Sequence, residues 1–468
     1  MKDYRPAIAS AQRVIDTYPT ADAAIRRSAW IVVAHGSLEL ADYPQAEHAY
    51  AQVLAATPEG DESRAAFVEN LAASIYKQGE QANEAQDYQA AAGHFLRIRT
   101  AAPTSTIRAA AEYDAGAALI RLKDWTTAAS VLEAFRSTYP DHKLQAEATK
   151  QIAYAYREGG QLARAAREYD RIASQSEDPA VRAEALLVAG DLYEQSGARD
   201  SAMDVYLRYI NEFPRPVETA LETRFKIAGM YKAANAATLY QHELTDIVRI
   251  DAEAGSDRTP RTRTIAARSA LVLAEASYRE FVAVKLLQPF EASLQDKKQR
   301  MDSVIGAMDH LVEYEIADVT AAATFYMAET YFNFSRALAD SERPTDLQPA
   351  DLKEYELALE EEAFPFEEKA INVHEKNLEL LRAGVLNTWT EQSLGKLAEM
   401  MPGRYAKNEM NSDFLGAIES YAYQPPIPQF SGPEQADAES TQPAEPEPAT
   451  PIAPIAKTDE VVDDAHPR

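Results

Sequence analysis

"DWTTAASVLEAFRSTYP", residues 124–140, decides the fold. An aspartate and an aromatic residue (Asp124, Trp125) lead into small and apolar positions at helical spacing, and Tyr139-Pro140 closes the stretch. Proline lacks the N–H and disfavours α conformation in the residue before it, so the helix stops there. The same pattern stands at 42–58 as "DYPQAEHAYAQVLAATP", and it opens the chain at 1–19 as "MKDYRPAIASAQRVIDTYP". Working outward from Ala128 gives a column: Ala7, Ala46, Ala91, Ala128, Ala165 and Ala202, the last four 37 residues apart each time. One helical turn on lie Ala11, Tyr50, Phe95, Leu132, Tyr169 and Tyr206. Twelve residues on lie Pro19, Pro58, Pro103, Pro140 and Pro214, with Glu177 as the exception. Several registers agreeing at one period mark a repeat architecture.

Each unit carries a helix before this one. Gly116, Ala153 and Gly190 form a small column where another backbone approaches closely, and Leu119, Tyr156 and Tyr193 form a large one. Ala228 with Tyr231 continues the pair. Small residues facing large ones describe helix hairpins stacked side by side. The 8-residue excess between Ala46 and Ala91 is assigned to "KQGEQANEAQDY" (77–88), and a seventh, shorter-period copy to Ala236 and Tyr240, ending near Val248. By this reading the first 19 residues are the second helix of a unit whose first helix is missing. The expectation is therefore a fragment, or an internal start.

These columns resemble the tetratricopeptide repeat, which has a small residue and a tyrosine in its first helix, then alanine, an aromatic residue and proline in its second. "TYP" at 138–140, "EFP" at 212–214 and the "DY" or "DW" starts look like the bacterial envelope subgroup, which includes the Tol–Pal coordinator and the repeat lipoprotein of the outer-membrane β-barrel assembly machine. The resemblance implies an all-α, right-handed solenoid whose first helices line a concave groove for a protein or peptide partner. Counted from the columns, the groove candidates are Tyr113, Arg121, Lys150, Tyr154, Arg157, Asp191 and Glu194. Tyrosine and arginine suit the role because they bury area and hydrogen-bond together. The resemblance also implies a periplasmic or outer-membrane-associated place beside Tol- or TonB-type complexes. The alternative is a cytoplasmic adaptor or regulatory subunit using the same groove.

Three regions follow: a solenoid of about seven units over 1–253, helical hairpins that continue or cap it over 254–422, and an acidic tail over 423–468. In the second, 264–287 reads as one helix, 301–338 as a pair, and "PFEEKAINVHEKNLELLRAG" as a helix with Pro365 at its start, where the missing N–H costs little. The tail carries ten prolines and nine acidic residues against Lys457 and Arg468, a composition that predicts disorder.

The chemistry expected is that of a scaffold, without catalysis, cofactor or metal. Of the 468 residues, 47 are Lys or Arg and 74 are Asp or Glu, a net charge of −27, which opposes nucleic-acid binding because phosphate contacts need clustered cations. There is no cysteine, hence no disulfide and no thiolate site. No apolar run approaches the length needed to cross a bilayer. The eight histidines form no metal-ligand spacing; "HEKNLE" at 374–379 lacks a second His. "EEE" at 360–362 reads as a solvated helix face and "RTPRTRTIAAR" at 258–268 as a charged loop before a helix. "AIESYAY", with Glu419 and Ser420, resembles the Glu-Ser motif of lytic transglycosylases, a remote alternative. Only 49 residues follow Glu419, too few to enclose the acid and raise its pKa.

Overall fold

The computed structural model describes residues 3–345 and 347–406; the tail over 423–468 and the Glu419 motif lie outside them. Residues 1–407 form one compact unit. Its described part is helical throughout: α1 (Tyr4–Thr17), α2 (Ala23–Glu39), α3 (Tyr43–Ala55), α4 (Arg64–Glu84), α5 (Tyr88–Ala101), α6 (Arg108–Arg121), α7 (Trp125–Thr138), α8 (Gln145–Glu158), α9 (Leu162–Gln175), α10 (Pro179–Gln195), α11 (Arg199–Glu212), α12 (Val217–Ala233) and α13 (Ala237–Glu253) make the repeat. After them come α14 (Pro260–Ala283), α15 (Phe290–Val312), α16 (Ala317–Ala339), α17 (Pro349–Arg382), α18 (Thr388–Met400) and the short α19 (Pro402–Tyr405).

The aspartate of the "DY" and "DW" starts is an N-cap. Asp42, Asp87 and Asp124 accept hydrogen bonds from the backbone N–H of Gln45, Ala90 and Thr127, satisfying donors the first turn leaves free. The residue before each cap closes the hairpin. Ala41, Gln86, Lys123, Gly160, Gly197 and Asn235 all have φ between 55° and 79°. The next N–H bonds back five residues in every hairpin, from Asp42 to Ser37 O, Asp124 to Leu119 O and so on to Ala236 to Tyr231 O. This is the Schellman closure, and four of the six copies adopt it without glycine.

The alanine column is the seam of the hairpins: Ala46, Ala91, Ala128, Ala165 and Ala202 are all fully buried, whereas Ala7 is exposed. The partner of the small column is not the large residue three positions later. A Cβ at Gly116 would lie 2.5 Å from Leu132 Cγ, and one at Gly190 would lie 2.3 Å from Tyr206 Cε1. Gly79 stands in the same relation to Phe95. These three first helices (α4, α6 and α10) therefore give up a side chain so that the bulky residue sixteen positions on, in the second helix of the same hairpin, lies against the backbone.

Two sequence assignments of register change. Because Gly79 precedes Ala91 by the usual twelve residues, "KQGEQANEAQDY" holds an ordinary turn. The excess lies upstream, where α4 begins fifteen residues before its glycine while α6 begins eight before its own. In the last hairpin Ala236 is the residue before α13, and the alanine slot at the fourth helical position belongs to Tyr240. The large slot is then Leu244, which is 1% exposed, and the copy is of regular length.

One continuous core runs from Ala11 to Ile227 through the stack. A second, including Leu221, Leu244 and Ile265, joins α12 and α13 to α14, covering the apolar end that a terminal repeat would otherwise expose. The helix expected over 264–287 runs over Pro260–Ala283 and is held by a capping box at Thr259. Pro365 is not at a helix start: α17 runs unbroken through it for 34 residues. Packing overrides the missing N–H here. Phe366 packs against Phe334, rings tilted and centroids 4.6 Å apart, and Ala363, 6% exposed, joins the same core along α16.

Candidate protein-interaction surface

Successive first helices touch one another, α4 with α6 and α6 with α8, which places them on the inner side of the stack. Side chains of one tie directly to the next. Tyr76 Oη donates to Asp114 Oδ2 at 2.5 Å, Gln151 Nε2 donates to Tyr113 Oη at 2.6 Å, and Arg121 Nη1 donates to Asn83 Oδ1 at 3.2 Å. All three pairs are 38 residues apart, one repeat plus one residue. Burial pushes the Asp114 carboxyl above the usual carboxylate range against the hydrogen bond from Tyr76, and nearby Glu80 adds to the rise. Further along, Lys226 Nζ donates to Asp191 Oδ1 at 2.6 Å. Tyr206, passing over Gly190, donates its hydroxyl to Asp191 at 2.5 Å and lies 3.1 Å from Glu194 Oε2. Burial raises the Tyr206 phenol far above its ordinary value, and the two carboxylates add to it.

The seven sequence candidates therefore divide by task. Tyr113, Arg121, Asp191 and Glu194 hold neighbouring helices or hairpins together. Lys150, Tyr154 and Arg157 on α8 are freer. Among the described residues Lys150 has only Glu147 as a charged partner, 3.6 Å away, and Tyr154 is 39% exposed. Arg157 lies over the Tyr154 ring at 5.6 Å and donates to Tyr169 Oη at 3.3 Å. Trp125 meets Tyr154 edge-on from the other side, with ring centroids 5.9 Å apart. Arg121, Lys150 and Tyr154 come together with Ile120, Glu147 and Gln151 around an open pocket of about 380 Å³. Asp191 and Glu194 are not part of it. Counting columns missed Gln151, Glu147, Tyr76 and Asp114; looking for polar pairs one period plus one residue apart would have found the three inter-helix ties.

Two further groups of charged or polar side chains are structural. Three of the four arginines of 258–268 have carboxylate partners: Arg258 with Asp251 at 2.9 Å, Arg261 with Glu222 at 2.7 Å and Arg263 with Glu315 at 3.9 Å. Ser393, His374 and Glu329 are arranged as a nucleophile, base and acid would be, with Ser393 Oγ 3.2 Å from His374 Nδ1 and Glu329 Oε1 3.3 Å from Nε2. Asn377 donates to Ser393 Oγ at 2.8 Å. Ser393, His374 and Asn377 are fully buried, so no substrate reaches the hydroxyl, and the cluster pins α17 to α18. Among the described residues no three His, Cys, Asp or Glu side chains converge as metal ligands. No helix of the described chain is long and apolar enough to cross a membrane.

The tetratricopeptide-repeat family model matches residues 110–142 and 184–215, the α6–α7 and α10–α11 hairpins. Similar solved structures include BtubC from P. vanneervenii, at 15% identity over 45% of this chain and 87% of that one, with a TM-score of 0.25. The Naa15/Naa10 complex bound to HypK-THB matches at 14% identity over 86% and 61%, with a TM-score of 0.30. The TPR2AB-domain:pHSP90 complex of yeast Sti1 matches at 13% identity over 57% and 98%, with a TM-score of 0.22. A search of curated proteins returns no match.

Proposed function

We propose that this chain is a protein-interaction scaffold that receives a segment of a partner protein along the inner surface of its first helices. The observation that carries the reading is the pocket between α6 and α8. There a rigid framework, cross-tied helix to helix, presents a half-exposed tyrosine and two cations with unspent hydrogen-bonding capacity. Such a surface has the ingredients of a binding hot spot: aromatic area, guanidinium and ammonium donors, and little to reorganise on binding. The test is cross-linked capture of partners from native lysate by the wild type and by the Lys150→Glu/Arg157→Glu variant. Loss of the captured proteins is expected; an unchanged set would refute the groove.

The envelope assignment is also ours, and it is supported by the resemblance of the "TYP", "EFP" and "DY" starts to that subgroup. Fractionation of native cells tests it: recovery with outer-membrane or periplasmic markers supports it, and recovery with cytoplasmic markers replaces it with the cytoplasmic adaptor.

A further inference from the structure

A second charged site lies across α8 from the groove. Tyr156 follows Tyr154 by two residues, about 200° around the helix, so it faces away from the pocket that Tyr154 lines. Tyr156 borders a cavity of about 360 Å³ between α7, α8 and α9. Four of the seven side chains around this cavity are arginines (Arg136, Arg164, Arg167, Arg171) and two are glutamates (Glu133, Glu168), a local excess of 4 − 2 = +2 in a chain of net charge −27.

The glutamates are already engaged. Glu168, nearly buried, pairs with Arg136, whose Nη2 donates to Oε1 at 3.0 Å, and it lies 3.5 Å from Arg171. Glu133 accepts the Tyr156 hydroxyl at 2.7 Å. Arg164 rests over the Tyr156 ring at 5.6 Å, and Arg167 donates only to the carbonyl of Ala163 in its own helix. Among the described residues neither has a carboxylate partner. Both are exposed, as is Arg171.

Positions 164, 167 and 171 fall on one stripe of α9 and span about 10 Å along its axis. That length exceeds what a single phosphate or terminal carboxylate bridges. It suits side chains on one face of an extended peptide, which recur about every 7 Å. Guanidinium forks pair with carboxylates in two-pronged fashion, and the fixed Arg136–Glu168 pair forms a floor beneath them. We propose that the α9 arginine stripe is a docking site for an acidic, extended segment of a partner protein, separate from the groove and not dependent on it.

The probe is a fluorescein-labelled peptide of alternating Glu and Ser, titrated with the full chain at low salt and followed by anisotropy. Because the chain as a whole repels such a peptide, saturable binding has to come from a local cationic site. Binding that weakens as salt rises is expected. The Arg164→Ala/Arg167→Ala/Arg171→Ala variant, with its helical circular dichroism unchanged, should bind at least tenfold more weakly. The Lys150→Glu/Arg157→Glu variant should stay within twofold of wild type. Four results would each overturn the proposal: no saturable binding by the wild type, equal binding by the triple variant, loss of binding in the groove variant, or equally effective competition by inorganic phosphate.

Discussion

Replacing Gly190 by alanine tests the packing rule of the hairpins at its tightest point. The new Cβ would lie 2.3 Å from Tyr206 Cε1, 2.7 Å from Cδ1 and 2.8 Å from Cζ, so the ring has to move. It has little freedom to do so, because its hydroxyl is bound to Asp191 and Lys226 lies 5.2 Å above its face. Overpacking of this kind costs about 1–3 kcal/mol. Alanine in place of glycine inside a helix returns about 0.5–1 kcal/mol. The difference is a loss of up to about 2.5 kcal/mol, centred a little above about 1 kcal/mol, confined mainly to α10, α11 and their neighbours because a solenoid is stabilised by nearest-neighbour contacts. Hydrogen exchange read by mass spectrometry suits such a local change. Peptides from α10 and α11 should exchange roughly 5–10-fold faster than in wild type, on the scale of tenfold per 1.4 kcal/mol. In a Tyr206→Ala background the obstruction is gone, and Gly190→Ala should instead slow exchange. If exchange is unchanged in the wild-type background, or if the substitution has the same effect in both, the reasoning fails.

Lys123 adopts φ 63° at the α6–α7 turn, where a side chain is disfavoured by about 1–2 kcal/mol, so Lys123→Gly should raise the urea midpoint of unfolding despite glycine's greater freedom in the unfolded chain. A lowered midpoint would mean that the lysine makes a compensating contact. Lys297 offers a pH test. Its Nζ is buried against the Phe281 and Val284 carbonyls and Asn333, and burial pushes the ammonium down to about 8. The native state thus releases this proton before the unfolded chain does, at about 10.4. Between those two values the unfolded state holds the extra proton, so stability rises with pH. Wild type should therefore gain on Lys297→Met by up to about 3 kcal/mol across that window, and the difference should stay flat below it. Urea melts at pH 7, 8, 9 and 10 measure it, and a difference that stays constant throughout would refute it.

The features legible in the sequence are those that local chemistry repeats. The alanine column was readable because the seam of five hairpins packs an alanine at full burial, and the aspartate–aromatic starts because an N-cap needs a short acceptor. What the sequence concealed depends on neighbours in space. Ala41, Gln86 and Lys123 occupy a left-handed position that only Gly160 and Gly197 advertise by residue type. The partner of Gly116 is Leu132 and not Leu119, a choice set by how the two helices cross. Tyr240 in an alanine slot drew the eye to Ala236, because composition and register disagree there. Pro365 stops a helix by local rules, but the packing of α17 on α16 carries the helix through it. In the groove, counting found Lys150 and Tyr154 but also selected Tyr113 and Asp191. Polarity alone does not separate a residue that faces a partner from one that grips the next repeat.

The identical closure of all six hairpins has a consequence for anyone who would edit this chain. The turn inside each unit has one length, one handed residue and one return hydrogen bond, so it has no slack for an added residue. The joints between units differ in length and sequence, and α4 already absorbs two extra turns at its beginning. A reporter, a protease site or a transplanted loop belongs at a joint, beside Gly60, where an added Cβ would meet nothing within 4 Å. The same insertion at Gln86 would pry open the hairpin it was meant to report on.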